Sequence, residues 1–143
     1  MRVSAVLKAK GSVVATIDRE ATVRDAVAEL ARHEIGALVV SPDGVTIEGI
    51  VSERDVVRRL HDRPATLLDA PVAEIMSVAV ETCAPDDDIE SLMATMTTRR
   101  FRHVPVVDDG RLVGIVSIGD VVKSRIEELE RDRAELVDYI NAR

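Results

Sequence analysis

Two tetrads, Ser52-Glu53-Arg54-Asp55 and Ser117-Ile118-Gly119-Asp120, carry most of the chemistry in the chain. Each follows an apolar Gly-Ile-Val run and precedes Val-Val, so each closes a strand and opens a helix. Ser-x-x-Asp is a capping arrangement in which the hydroxyl satisfies free helix N–H groups. A second group is cationic: Arg54, Arg99, Arg100, Arg102 and His103. Guanidinium groups pair bidentately with phosphate oxygens near a helix N-terminus, and the competing reading of each is a solvated surface charge. Cys83 with His103 is the one nucleophile pairing to consider, but Cys83 falls at a buried strand end, where thiols are inert. His33, His61 and His103 have no zinc-like spacing. Asp86-Asp87-Asp88 reads as negative charge at a helix start, since no matching ligands stand nearby for a cation cage.

The elements that must place these residues follow from the stretch Phe101–Val122. Val104–Val107 reads as an apolar strand, Asp108–Gly110 as a tight turn, Leu112–Val116 as a second strand, and Ser117 as the start of a helix. That unit occurs twice. Gly36–Gly44 parallels Arg102–Gly110 at an offset of 66, and Gly49–Val57 parallels Gly114–Val122 at 65. Upstream, Val14–Ile17 parallels Val80–Cys83, and Val23, Ala26, Val27 and Leu30 parallel Ile89, Leu92, Met93 and Met96. The chain is thus two copies of about 60 residues, each too small to be stable alone, expected to share one interior.

In order, Met1–Lys10 has a short helical pattern ended by Gly11, matched by Val72–Met76 before the second copy. Short strands are expected over Val13–Ile17 and Val78–Cys83. Amphipathic helices follow, one capped by Thr22-x-x-Asp25 and running to about His33, the other starting after Asp88. Residues 1–61 form the first repeat, 62–71 a linker containing Pro64 and Pro71, 72–126 the second repeat, and 127–143 a helical extension. The last helix is expected to reach Asn141, with Val122, Ile126, Leu129, Leu136 and Ile140 on one stripe interrupted by Arg133. Such a stripe either folds back on its own domain or pairs with another subunit, and pairing is the favoured expectation.

Composition narrows the classes. Of 143 residues 46% are hydrophobic, but Phe101 and Tyr139 are the only aromatics, which argues against base-stacking platforms. The net charge of −7 disfavours a nucleic-acid backbone as partner. A single cysteine excludes an intrachain disulfide, and no run has the length of a membrane span or a signal-peptide core, so a cytoplasmic protein with no membrane contact is expected.

The repeated order of short helix, strand with a terminal Thr, amphipathic helix, strand pair and helix, with GIVS-x-x-D at the same place in each copy, resembles the tandem CBS domain pair, or Bateman module. The resemblance covers about Met1 to Glu128, and small stand-alone bacterial proteins of the family share the pattern. It implies an α/β (α+β) fold of two β-α-β-β-α repeats packed sheet to sheet about a pseudo-twofold axis, with chains that associate as homodimers. It further implies clefts between the repeats for adenosine-containing ligands (AMP, ADP, ATP or S-adenosylmethionine), with no cofactor or metal required. On that likeness Ser52, Asp55, Ser117 and Asp120 hold ribose hydroxyls, as a carboxylate accepting two hydrogen bonds from a vicinal diol would. Main-chain groups around Thr16, Thr82, Ala37, Leu38, His103, Val104 and Pro105 would read the adenine edge, and Arg54, Arg99, Arg100, Arg102 and His103 the phosphates. The copies differ where Glu34-Ile35-Gly36 stands against Arg100-Phe101-Arg102, so the two clefts are expected to be unequal. The function expected is a non-enzymatic regulatory module signalling to a protein partner; the alternative is a constitutive dimeric scaffold that binds no nucleotide.

Overall fold

The computed structural model describes residues 1–142. The chain runs α1 (Val3–Lys10), β1 (Thr16–Ile17), α2 (Val23–His33), β2 (Ala37–Val40), β3 (Gly49–Ser52) and α3 (Glu53–Asp62). Two 3-10 turns follow, Leu67–Asp69 and Val72–Glu74, then α4 (Ile89–Arg99), β4 (His103–Asp108), β5 (Arg111–Ser117) and α5 (Ile118–Asn141). β1 pairs parallel with β2, and β2 antiparallel with β3; β4 and β5 form the second sheet.

Local chemistry sets most element boundaries. Thr22, Ser52 and Ser117 each accept from the backbone N–H three residues on, and Asp25, Asp55 and Asp120 each accept back from the cap, so α2, α3 and α5 all begin with a full capping box. Asp88 caps α4 through the N–H of Ser91, while the Asp87 carboxylate accepts from Ala84 N–H. The acidic triplet therefore builds the helix entry. Between β4 and β5, Asp109 and Gly110 have φ of 52° and 76°, the pair of positive values that a two-residue turn of the primed type needs.

The expected early strands are shorter than their sequences suggested. In the first copy only Thr16–Ile17 is strand, and Val13 is exposed. In the second, Val78–Cys83 forms no strand; a single parallel bridge joins Cys83 to Val106. The reason is chemical. In the first copy Val39 N–H donates to Ala15 C=O. At the equivalent place in the second stands Pro105, which has no N–H to give to Glu81 C=O. The ladder shrinks to the bonds around Cys83, which donates to Pro105 C=O and accepts from Val107 N–H.

Only one of the two cores is drawn from a contiguous stretch, and neither matches the repeat boundaries. Val3, Val6 and Leu7 of α1 lie in the core of the second copy with Ile89, Leu92, Met96, Val104, Val116 and Val121. Leu67, Ala70, Val72 and Ile75 lie in the core of the first with Val23, Ala26, Leu30, Leu38 and Val51. The same stitch recurs in each: Val3 N–H donates to Asp87 C=O and Ile89 N–H to Met1 C=O, while Val72 N–H donates to Ala21 C=O and Val23 N–H to Ala70 C=O. Each buried valine or leucine in such a crossing stabilises by about 1.5–3 kcal/mol. The second core is thus completed by the first helix of the chain, and the first core by the segment that follows α3.

The crossing also explains the glycine of each Gly-Ile-Val run. A Cβ on Gly49 would lie 2.8 Å from Ser77 O and 2.9 Å from Met76 Sδ; one on Gly114 would lie 2.7 Å from Leu7 Cδ2. At Gly49 the obstacle is backbone, held by the paired Ile50–Ser77 hydrogen bonds of 2.9 and 3.0 Å. At Gly114 it is a side-chain tip that can turn. Gly49→Ala should therefore destabilise by about 1–3 kcal/mol, and Gly114→Ala by less, read as shifts in urea midpoint.

Candidate functional site

The seam between the copies opens into two neighbouring clefts that share Gly36, Ala37 and His103. The smaller, of about 230 Å³, is lined by Ser52, Arg54, Asp55 and Arg58 from the first copy and by Ala79–Glu81 and Arg99–His103 from the second. The larger, of about 700 Å³, is lined by Lys10, Val13–Thr16, Arg32 and His33 from one side and Ile115, Ser117 and Asp120 from the other. Each cleft combines one copy's chain before its first sheet pairing with the other copy's Ser-x-x-Asp. Val14 and Val80, just outside the short early pairings, line the walls of the larger and the smaller cleft respectively.

The carboxylates at the two helix starts are placed alike but partnered differently. Asp55 Oδ2 accepts from Ser52 N–H at 2.9 Å and from Ser52 Oγ at 3.0 Å. Asp120 Oδ2 accepts from Ser117 N–H at 2.9 Å and from Lys10 Nζ at 2.6 Å. Burial pushes the Asp120 carboxyl upward, but the Lys10 ammonium and the Ser117 N–H outweigh it and hold it below the ordinary carboxylate range. Lys10 also donates to Ile115 C=O at 2.9 Å, so its ammonium is fixed across the mouth of the larger cleft.

The smaller cleft is cationic. Of its five arginines, Arg54, Arg58, Arg99, Arg100 and Arg102, only Arg99 has an ion pair among the described residues, with Glu81 at 2.8 Å. His103 forms part of the wall common to both clefts: a Cβ on Gly36 would meet its Cε1 at 3.1 Å and Nε2 at 3.2 Å, so that edge of the ring packs against the glycine. Burial, then the charge of Arg102, lowers the His103 pKa against the opposing pull of Glu53 and Asp120, which favours the neutral ring at pH 7. A neutral imidazole can donate or accept one hydrogen bond.

The expected residues divide accordingly. Ser52, Arg54, Asp55, Arg99, Arg100 and Arg102 line the smaller cleft, Thr16, Ser117 and Asp120 the larger, and Ala37 and His103 both. Leu38 in β2 and Val104 and Pro105 in β4 are buried, Thr82 is exposed, and none of the four lines either cleft. Sequence reasoning passed over Arg58 and Lys10. Arg58 follows Arg54 by one helical turn, a readable signal; Lys10 reaches a carboxylate 110 positions away, which no local pattern reveals.

Cys83 is buried, and burial followed by the nearby Asp87 charge pushes its thiol up to about 12, the opposite of what a thiolate nucleophile requires. Among the described residues no group of three or more His, Cys, Asp or Glu is arranged to hold a metal ion, and no helix is long and apolar enough to cross a membrane.

The CBS domain profile matches this chain twice, over residues 11–62 and 72–127. The chain belongs to the CBS domain family. A crystal structure of a CBS-domain protein from Agrobacterium tumefaciens superposes with a TM-score of 0.84 at 40% identity, covering 87% of this chain and 99% of that one. A CBS domain protein of Pyrobaculum aerophilum, solved complexed with AMP, superposes with a TM-score of 0.73 at 31% identity, covering 84% and 89%. A mitochondrial CBS domain-containing protein of Arabidopsis thaliana is 36% identical over 123 residues, 83% of this chain. This CBS pair spans about 60% of the length of that relative. The two-repeat α+β fold expected from the sequence is the fold of these structures.

Proposed function

We propose that this CBS pair is a non-enzymatic regulatory module. It holds a phosphate-bearing adenosine nucleotide, of the AMP, ADP or ATP type, in the smaller cleft and passes the resulting change at the seam to a protein partner. The observation that carries this reading is the convergence of the Asp55 carboxylate with four arginines that have no carboxylate partner among the described residues. Asp55 suits a ribose diol. Arg54, Arg58, Arg100 and Arg102 suit phosphate oxygens and disfavour the cationic sulfonium of S-adenosylmethionine. The AMP complex of the Pyrobaculum relative supports the ligand class.

The larger cleft has the more usual ligand volume, since small-molecule pockets run roughly 300–1,000 Å³. Its ribose-type carboxylate, however, is already engaged by Lys10 at 2.6 Å, and that favours occupancy next door. Because both copies line the smaller cleft, a bound nucleotide touches both and can favour one arrangement of the seam over another; unequal affinity for two arrangements is all that signalling needs.

Isothermal titration calorimetry of the intact protein with AMP, ADP, ATP and S-adenosylmethionine tests the reading. The expected result is saturable binding of at least one phosphate-bearing nucleotide, weakening as salt rises, with S-adenosylmethionine weaker. Absence of heat and of any thermal shift with all four at millimolar concentration would leave the scaffold alternative in its place.

A further inference from the structure

The smaller cleft does not end at the seam. Arg54, Arg100, Phe101 and Arg102 also line an outer groove of about 500 Å³, completed by Met96 and Thr97 of α4 and Ile118 of α5. The two cavities therefore meet along those four residues. Among the described residues no carboxylate lines the outer groove, and none of its three arginines has an ion pair. Exposed guanidinium groups facing one groove repel one another, and an anion held between them removes that repulsion.

The repeat contains its own contrast. The matching groove of the first copy, also of about 500 Å³, is built largely from the same positions: Leu30 and Ala31 stand for Met96 and Thr97, Ile35 for Phe101, and Glu53 for Ile118. Where the second copy has Arg100 and Arg102, the first has Glu34 and Gly36. Glu34 and Glu53 line that groove, and among the described residues no cation does. Glu34 and Arg100 share a left-handed backbone, with φ of 53° and 61°, so the two helix ends are alike and the side chains differ. One fold thus carries opposite charge in its two grooves.

We infer that the outer groove is a polyphosphate subsite, taking the β- and γ-phosphates of a nucleoside triphosphate whose nucleoside lies in the smaller cleft. This rests on the nucleotide reading of that cleft and names which nucleotide it takes. Size points the same way. A cavity of about 230 Å³ is below the roughly 300–1,000 Å³ usual for ligand pockets, so a nucleotide seated there must reach past it, and the outer groove adjoins it along the arginines. Charge agrees with size. Inside the cleft Arg99 is engaged by Glu81, and Glu53 and Asp55 offset part of the remaining positive charge; the outer groove has no such offset. A monophosphate brings about two negative charges at pH 7, and each further phosphate adds about one more for bidentate donors to meet. The acidic groove of the first copy would repel the same phosphates, so the larger cleft gains no comparable extension.

The experiment is calorimetric titration of the intact protein with AMP, ADP and ATP, free of magnesium and at one ionic strength, repeated on the double variant Arg100→Glu, Arg102→Gln. Glutamate at 100 copies what the first copy carries at the same left-handed position, and both side chains are exposed, so the thermal unfolding of the free variant should match that of the parent. Affinity is expected to rise from AMP to ADP to ATP, with ATP about 10- to 100-fold tighter than AMP, as charge-assisted contacts partly screened by solvent would give. In the variant ATP should lose more than AMP, and their ratio should fall to about threefold or less. Saturable binding of AMP as tight as that of ATP, or a ratio that survives in the variant, would overturn the inference and leave the nucleotide reading standing. Absence of binding by all three would remove both. Equal affinities for AMP and ATP, with an oligoglutamate peptide bound by the parent and not by the variant, would overturn the inference and give the groove to an acidic segment of a protein partner.

Discussion

Replacing Asp55 by alanine should weaken nucleotide binding about 10- to 100-fold, the effect of losing hydrogen bonds to a charged group worth roughly 1.5–3 kcal/mol. The geometry makes the test discriminating. Asp55 accepts the N–H and hydroxyl of Ser52 on one oxygen, Oδ2, which leaves Oδ1 for a ligand diol. The same residue completes the capping box of α3, so Asp55→Ala also costs about 0.5–2 kcal/mol of stability. Affinity must therefore be measured well below the variant's melting temperature. Ser52→Ala separates the roles: it removes the hydroxyl cap and should lower stability comparably, yet keep the carboxylate and change affinity only about threefold or less. Asp120→Ala should change affinity little, since Lys10 already neutralises that carboxylate. If Asp120→Ala abolished binding and Asp55→Ala did not, the nucleotide would belong in the larger cleft.

What could be read from the chain was what its neighbours in sequence decide. Asp109-Gly110 sets its turn by its own φ angles, and Thr22, Ser52, Ser117 and Asp88 start their helices by reaching three residues ahead. The repeat made the pseudo-symmetry visible, because two copies at one offset have one fold between them. The crossing of α1 into the second core and of Leu67–Ile75 into the first was not visible. An apolar triplet such as Val3, Val6 and Leu7 announces that it must be covered but not by which copy. The truncated second ladder was readable in principle, since Pro105 falls where the first copy uses an N–H, yet the apolar run Val78–Cys83 looked like a strand by composition. Likewise, two carboxylates at identical motif positions became chemically unequal through Lys10, a partner 110 residues distant.

The segment between the repeats gives the largest expected change in stability. Pro64 and Pro71 mark residues 62–71 as a linker, but Leu67 within it is completely buried, and Ala70 C=O accepts from Val23 N–H at the start of α2. Truncating a buried leucine removes its transfer free energy and leaves a cavity that the surroundings only partly close, so Leu67→Ala should cost about 2–5 kcal/mol. A tether would behave otherwise: exposed Pro64→Ala, acting mainly through the unfolded chain, should cost less than about 1 kcal/mol. α1 belongs to the second core and Leu67, Val72 and Ile75 to the first, and each copy, of about 60 residues, is too small to be stable alone, so the two should unfold together. Urea unfolding of Leu67→Ala should thus remain a single transition with an unchanged slope and a lower midpoint, at a fixed protein concentration so that association does not shift the comparison. Two resolved transitions would mean that the repeats are separable, and a loss below about 1 kcal/mol would mean that the segment merely spans the gap between them.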